Sequence, residues 1–203
     1  MNFDLVPRRT ALINVDLQNC FLRDSPIAAP EGPVVLERLN RLAAVCRQAG
    51  VAVIHTRFVL DPDGSDLGVL SETSPPARDG LLNRDAPSAQ LDEALVVREG
   101  DVILDKPRFG AFCRTALEEI LRARGIDTVI IGGVATNVCC ETTAREAMQR
   151  EFHVFFLSDG TAAADMPGAS AAELQKTSLV TLGFLFAQVL TVDEMIAKIR
   201  AAA

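Results

Sequence analysis

Three residues in this 203-residue chain end apolar runs with groups that can do acid–base or nucleophilic chemistry: Asp16, Lys106 and Cys139. Asp16 closes the run 10–16 (TALINVD), and Lys106 follows 102–105 (VILD). Cys139 follows 128–132 (TVIIG) across a turn of small residues. Each has an ordinary use when taken singly. An Asp after a strand caps a helix, a Lys there is solvated, and a Cys in an apolar stretch is a small core residue. Brought to one rim, a carboxylate, an ammonium and a thiol make a nucleophile with an acid–base partner. The segment 132–145 reads GGVATNVCCETTAR, which is a strand, a tight turn and a helix start. Free N–H groups in a first helical turn favour a thiolate, as does a nearby Lys, and they can receive a developing oxyanion. Cys140 points about 100° away round that helix. It aligns with Ala144 and Ala147, so it reads as core, and Cys139 is the candidate nucleophile.

The elements that must position these groups alternate between strand and helix. Residues 33–49 place Leu36, Leu39, Ala43 and Cys46 at helical spacing, with Pro33 at the start and Gly50 at the stop. Strands are expected at 10–16, 51–58, 102–105, 128–132, 153–158 and 185–190. Further helices are expected at 115–124, 138–149 and 169–182, and a last one starts at Thr191. Thr115 with Glu118, and Thr191 with Glu194, have capping-box spacing. The strands are continuous apolar runs, which belong to a parallel sheet covered on both faces. The expected fold is therefore a three-layer, doubly wound α/β domain spanning 1–203, with its ligand at the carboxyl ends of the strands. One stretch, 61–86, is poorly patterned and rich in Pro and Gly, and is read as a lid or a subunit-contact loop.

Composition narrows the function. Lys and Arg number 20 against 27 Asp and Glu, a net charge of −7. With no basic block, nucleic acid is a poor partner. No apolar run reaches the roughly 18 residues that span a bilayer, and residues 1–9 carry no signal-peptide core. Five cysteines stand at 20, 46, 113, 139 and 140 without a CxxC pair, which suits reduced thiols in a cytoplasm. His55 and His153 both fall inside strands and read as structural, so no metal site is expected.

The combination DLQNCF (16–21), DKPRFGAF (105–112) and GGVATNVCCETTAREA (132–147) resembles the isochorismatase-like cysteine hydrolases. The similarity is closest to the carbamoyl and ureido hydrolases, and it covers nearly the whole chain. It implies a fold of the expected class and hydrolysis of a C–N bond in a small amide, ureide or carbamoyl compound. The family nucleophile falls on Cys139, its Asp on Asp16 and its Lys on Lys106. A non-proline cis peptide would join Val134 to Ala135, with the Ala135 and Cys139 amides as oxyanion donors. Nicotinamidases of this family add a metal site built from an Asp and several His after the second strand. Here that region reads HTRFVLDPDG, so no metal and no other cofactor is implied.

Phe21 and Phe109 follow the Asp16 and Lys106 motifs and are candidates to wall the pocket, with Phe112 beside them. Gln18 either orients Asp16 or binds substrate. Arg57 and Arg108 suit a substrate carboxylate, because a guanidinium grips one bidentately. The expected partner is a small molecule, with no membrane. A homodimer or homotetramer is expected from the apolar stretches 169–182 and 184–190. Three alternatives stand beside this reading: a non-catalytic binding module of the same fold, a thiol redox protein using Cys139 with Cys140 or Cys20, and a vinyl-ether hydrolase of the isochorismatase type.

Overall fold

The computed structural model describes residues 2–23 and 25–203. Six strands form one sheet: β1 (Thr10–Val15), β2 (Ala52–Phe58), β3 (Val102–Lys106), β4 (Thr128–Val134), β5 (His153–Ala162) and β6 (Gln188–Leu190). Their order is β3-β2-β1-β4-β5-β6, and every neighbouring pair is parallel. β1 and β4 are buried along their whole length, which is why their sequences are apolar runs rather than alternations.

The helices are α1 (Asn19–Leu22), α2 (Gly32–Ala49), α3 (Leu70–Thr73), α4 (Pro75–Arg78), α5 (Leu117–Ala123), α6 (Glu141–Gln149), α7 (Ala171–Leu185) and α8 (Val192–Ala202). α2 and α8 cover one face, packing Leu36, Leu39 and Met195 on Leu12, Ile130 and Phe155. α5 and α6 cover the other, packing Leu117, Leu121 and Ala144 on Ile13, Ile131 and Phe156. Each buried Leu, Ile, Met or Phe among these contributes about 1.5–3 kcal/mol, so the two core layers hold the sheet between both helix sets. The doubly wound α/β expectation is met. Among the described residues no helix is long and apolar enough to cross a membrane.

Several boundaries differ from the sequence expectation for local reasons. α2 ends as expected, with Gly50 in the left-handed region (φ 80°) and its N–H on the carbonyls of Arg47 and Cys46. The Thr191–Glu194 box is formed. The Thr115–Glu118 box is not. Thr115 Oγ1 donates to the Ala111 carbonyl and accepts from the Leu117 amide, so the helix begins at Leu117. α7 begins at Ala171 because Ser170 and Glu173 form a reciprocal box there, and it runs on to Leu185. The last strand is thereby shortened to Gln188–Leu190. The stretch 61–86 holds α3 and α4, and its Leu70, Ala77 and Leu82 are buried in the core.

Candidate active site

The sheet reverses its winding between β1 and β4, and a doubly wound fold opens a crevice at that point. Asp16 follows β1 on one side of the crevice, and the turn after β4 carries Cys139 on the other. Close approach of the two strand ends requires Gly133. Its φ is 127°, and a Cβ there would lie 2.1 Å from the Val15 carbonyl oxygen. Asp16 itself takes φ 52°, a left-handed conformation that Asp tolerates better than most residues.

Lys106 ends β3, two strands away, and its side chain crosses the end of β2 to reach Asp16. Nζ lies 2.7 Å from Asp16 Oδ2, and both side chains are fully buried. The ammonium also donates to the carbonyls of Arg108 and Phe109, each at 2.9 Å, and sits 4.6 Å above the Phe58 ring centre. The other carboxylate oxygen, Oδ1, accepts from the Thr56 hydroxyl at 2.6 Å, and Thr56 Oγ1 in turn accepts from the Asp16 amide at 3.1 Å. Among the described residues Oδ2 takes no well-aligned hydrogen bond; the Lys106 ammonium faces it, which leaves it a lone pair for a proton.

Cys139 interacts with both members of this pair. Burial pushes its thiol well above the ordinary value; Lys106 opposes the shift and the Asp16 charge adds to it. Burial alone would lower the Lys106 ammonium, but the Asp16 and Cys139 charges hold it above its ordinary value. The helix start and Lys106 favour a thiolate, but burial is the larger influence and holds Cys139 toward the thiol form.

The turn carrying Cys139 is anchored from three sides. The Val134–Ala135 peptide is cis, as the resemblance implied. Residues Thr136–Cys140 form one π-helical turn that runs into α6, so helical structure starts two residues earlier than expected. The Ala135 carbonyl accepts from the amides of Val138 and Cys140. Thr143 Oγ1 donates to the Cys139 carbonyl at 2.7 Å and accepts from the Ala111 amide at 3.1 Å. From α7, Gln175 accepts from Thr136 Oγ1 while its amide donates to the carbonyls of Ser158 and Thr161. Ser178 Oγ donates to Glu141 Oε2 at 2.5 Å. Cys140 points into the core, as its spacing implied.

Cys139 and Ala135 line a cleft of about 480 Å³, with Phe21 and Phe109 in its walls. Asp16 and Lys106 lie behind the thiol, closed off from solvent. Gln18, Arg57 and Arg108 are not brought to the wall. Gln18 accepts from the Phe58 amide and donates to the carbonyls of Phe58 and Ala89, tying the end of β1 to β2. Arg57 grips Asp105 and Gln90. Arg108 donates to the carbonyls of Pro107 and Asp66. Phe112 is also absent from the cleft, because it packs against Phe152 in the core. His55 bridges Asn14 and Asp101, and His153 stacks near Phe3. Among the described residues no group of three or more His, Cys, Asp or Glu is placed to hold a metal ion. A second cavity, of about 430 Å³, lies at the opposite ends of β2 and β3 beside Arg8 and Arg47, and holds none of these groups.

The sequence reading missed Thr56, Gln175 and the rim segment of Ala164, Asp165, Met166 and Pro167. Thr56 had a signal, being a polar residue inside an apolar strand. Gln175 and the rim had none, since each reaches the site only through long-range packing.

Residues 10–194 match the Isochorismatase domain family. The ureidoacrylate amidohydrolase RutB of Methylorubrum extorquens is 34% identical over 187 residues, covering 82% of this chain and 75% of that protein. Nicotinamidase 3 of Arabidopsis thaliana is 35% identical over 186 residues, covering 91% of this chain and 86% of that protein. A solved cysteine hydrolase from Pseudomonas syringae pv. phaseolicola 1448A superposes with a TM-score of 0.96 at 38% identity, covering 100% of this chain and 97% of that one.

Proposed function

The chain belongs to the isochorismatase family, and we propose that it is a cysteine-dependent hydrolase cleaving a C–N bond of a small amide or ureide. One observation carries the reading: the thiol of Cys139 forms part of the cleft wall and touches a fully buried Asp16–Lys106 pair behind it. The family's amidohydrolase and nicotinamidase support the choice of bond.

The proposed reaction follows from where the proton can go. The substrate carbonyl carbon meets Sγ in the cleft. As the S–C bond forms, Asp16 Oδ2 takes the thiol proton, so a free thiolate is never required in this buried site. The tetrahedral oxyanion rests on the amides of Ala135, just before the π-turn, and of Cys139 within it. Lys106 keeps one positive charge beside the site throughout. Asp16 then returns its proton to the departing nitrogen as the C–N bond breaks. Water attacks the resulting thioester, or thiocarbamate for a ureide; Asp16 accepts its proton and passes it to Sγ. In this reading Phe21 and Phe109 pack on the substrate, whereas Gln18, Arg57 and Arg108 hold the frame.

Residues 1–203 are read as one hydrolase domain, and the five unpaired thiols support a cytoplasmic setting. A homodimer or homotetramer is supported by α7, whose Val180, Phe184 and Leu185 are 65%, 79% and 54% exposed. The test of the reaction is to quench turnover of an amide or ureide in acid and weigh the protein. An acyl or carbamoyl increment on the peptide carrying Cys139 is expected, and its absence during demonstrated turnover would refute the covalent route.

A further inference from the structure

The cleft is lined mainly by apolar side chains, among them Phe21, Ile27, Phe58, Leu82, Phe109 and Val138. Among the described residues that line it there is no Lys, Arg or His. Apart from Cys139, the ionisable side chain in the lining is Asp165, at the mouth. Asp165 Oδ1 accepts from the Ala171 amide at 2.7 Å, which fixes the carboxylate at the head of α7.

Nearby cations are already engaged. An ammonium has three donors. Lys106 gives two of them to the carbonyls of Arg108 and Phe109, and its charge is paired with the Asp16 carboxylate. Arg57 is held by Asp105, Arg108 by two carbonyls and Arg23 by Asp92. A substrate carboxylate entering this cleft would lose its water without gaining a cation, and would pass a like charge at the mouth.

We infer that the site selects amides or ureides attached to an uncharged, apolar body and excludes carboxylates, with Asp165 setting the sign of charge at the entrance. The inference rests on the C–N hydrolase reading for the reacting group and adds the class of the rest of the molecule. It separates the two substrates for which the relatives are named. Ureidoacrylate is an anion; nicotinamide is neutral, and the cleft suits the neutral kind. A volume of about 480 Å³ accommodates one ring or one branched chain.

Two measurements on the intact protein test this. The first compares 3-methylbutylurea with 3-ureidopropionate, which differ by two methyl groups in place of two carboxylate oxygens. The neutral ureide is expected to show kcat/KM at least about 100-fold higher. The second follows alkylation of Cys139 by iodoacetamide and by iodoacetate, using peptide mass mapping, with glutathione as the free-thiol reference. The preference for iodoacetamide at Cys139 is expected to exceed that of glutathione at least about tenfold, and Asp165→Asn to reduce it about threefold. Asn keeps the acceptor for the Ala171 amide, so this variant changes charge rather than fold.

Comparable turnover of the carboxylated ureide, comparable alkylation by iodoacetate, failure of both reagents to reach Cys139, or an unchanged ratio in Asp165→Asn would each overturn the inference. If neither ureide nor any other amide is turned over, the C–N hydrolase reading fails, while the alkylation ratio still decides whether the cleft excludes anions.

Discussion

Replacing Lys106 with Met strands a carboxylate in the protein interior. Asp16 and Lys106 are both fully buried and 2.7 Å apart. Without the ammonium, Asp16 keeps one side-chain hydrogen bond, from Thr56, and the carbonyls of Arg108 and Phe109 lose their donor. Breaking a buried ion pair from one side costs about 3–5 kcal/mol, most of it the desolvation of the charge left behind. With a urea slope of about 3 kcal/mol/M, the unfolding midpoint should fall by about 1–1.7 M. The chain has no Trp and no Tyr, so far-UV circular dichroism is the probe of choice. The double variant Asp16→Asn, Lys106→Met leaves no buried charge, and should be more stable than Lys106→Met alone. The alkaline limb gives a second check. The Lys106 ammonium is held above its ordinary value of 10.5. Its contribution is therefore complete below about pH 10.5 and is lost as pH rises through the folded value. Wild type should lose stability more steeply than the double variant above that pH. A loss under about 1 kcal/mol in Lys106→Met, or a double variant less stable than the single, would refute the reasoning about the pair.

Gln175→Leu removes the acceptor of Thr136 Oγ1 at the nucleophile turn. Steady-state kinetics should show kcat falling about 10–100-fold with KM nearly unchanged, for a stability loss of about 1–3 kcal/mol. Gln175→Glu keeps that acceptor and should recover part of kcat; wild-type turnover in a folded Gln175→Leu would show that Gln175 does not position the turn. Alkylation of Cys139 by iodoacetamide should keep accelerating past pH 9, because burial raises its thiol, whereas an ordinary thiol levels off near its pKa of about 8.5. A plateau below pH 8 would mean that a preformed thiolate exists. Phe184→Asp places a charge on the exposed face of α7 and should reduce the mass seen by light scattering to that of one chain; a wild type already at one chain mass would remove the oligomer proposal.

Sequence alone exposed the parts of this molecule that are local. Strands buried on both faces must be apolar throughout, so 10–16 and 128–132 announced themselves as strands. Asp16 and Lys106 stood out as charged groups at strand ends, and Cys139 by the tight turn and helix start that carry it. What stayed hidden depends on which partner each group finds once the chain is packed. Thr115 has the spacing of a cap, yet its hydroxyl is taken by Ala111. Arg57 and Arg108 have the chemistry of carboxylate binders, yet Asp105 and the carbonyls of Pro107 and Asp66 hold them away from the cleft. Thr56 and Gln175 act through partners about 40 residues distant, a relation that no periodicity encodes. The raised Cys139 thiol was equally out of reach, because it follows from how deeply the packed site is buried.

The central claim is that Cys139, and not its neighbour, carries the reaction. It is tested most directly by release of ammonia or amine from a panel of neutral amides and ureides, using wild type, Cys139→Ala and Cys140→Ala side by side. The account predicts turnover by wild type and Cys140→Ala, and none above background by Cys139→Ala. Turnover that survives in Cys139→Ala, or that disappears only in Cys140→Ala, would contradict it.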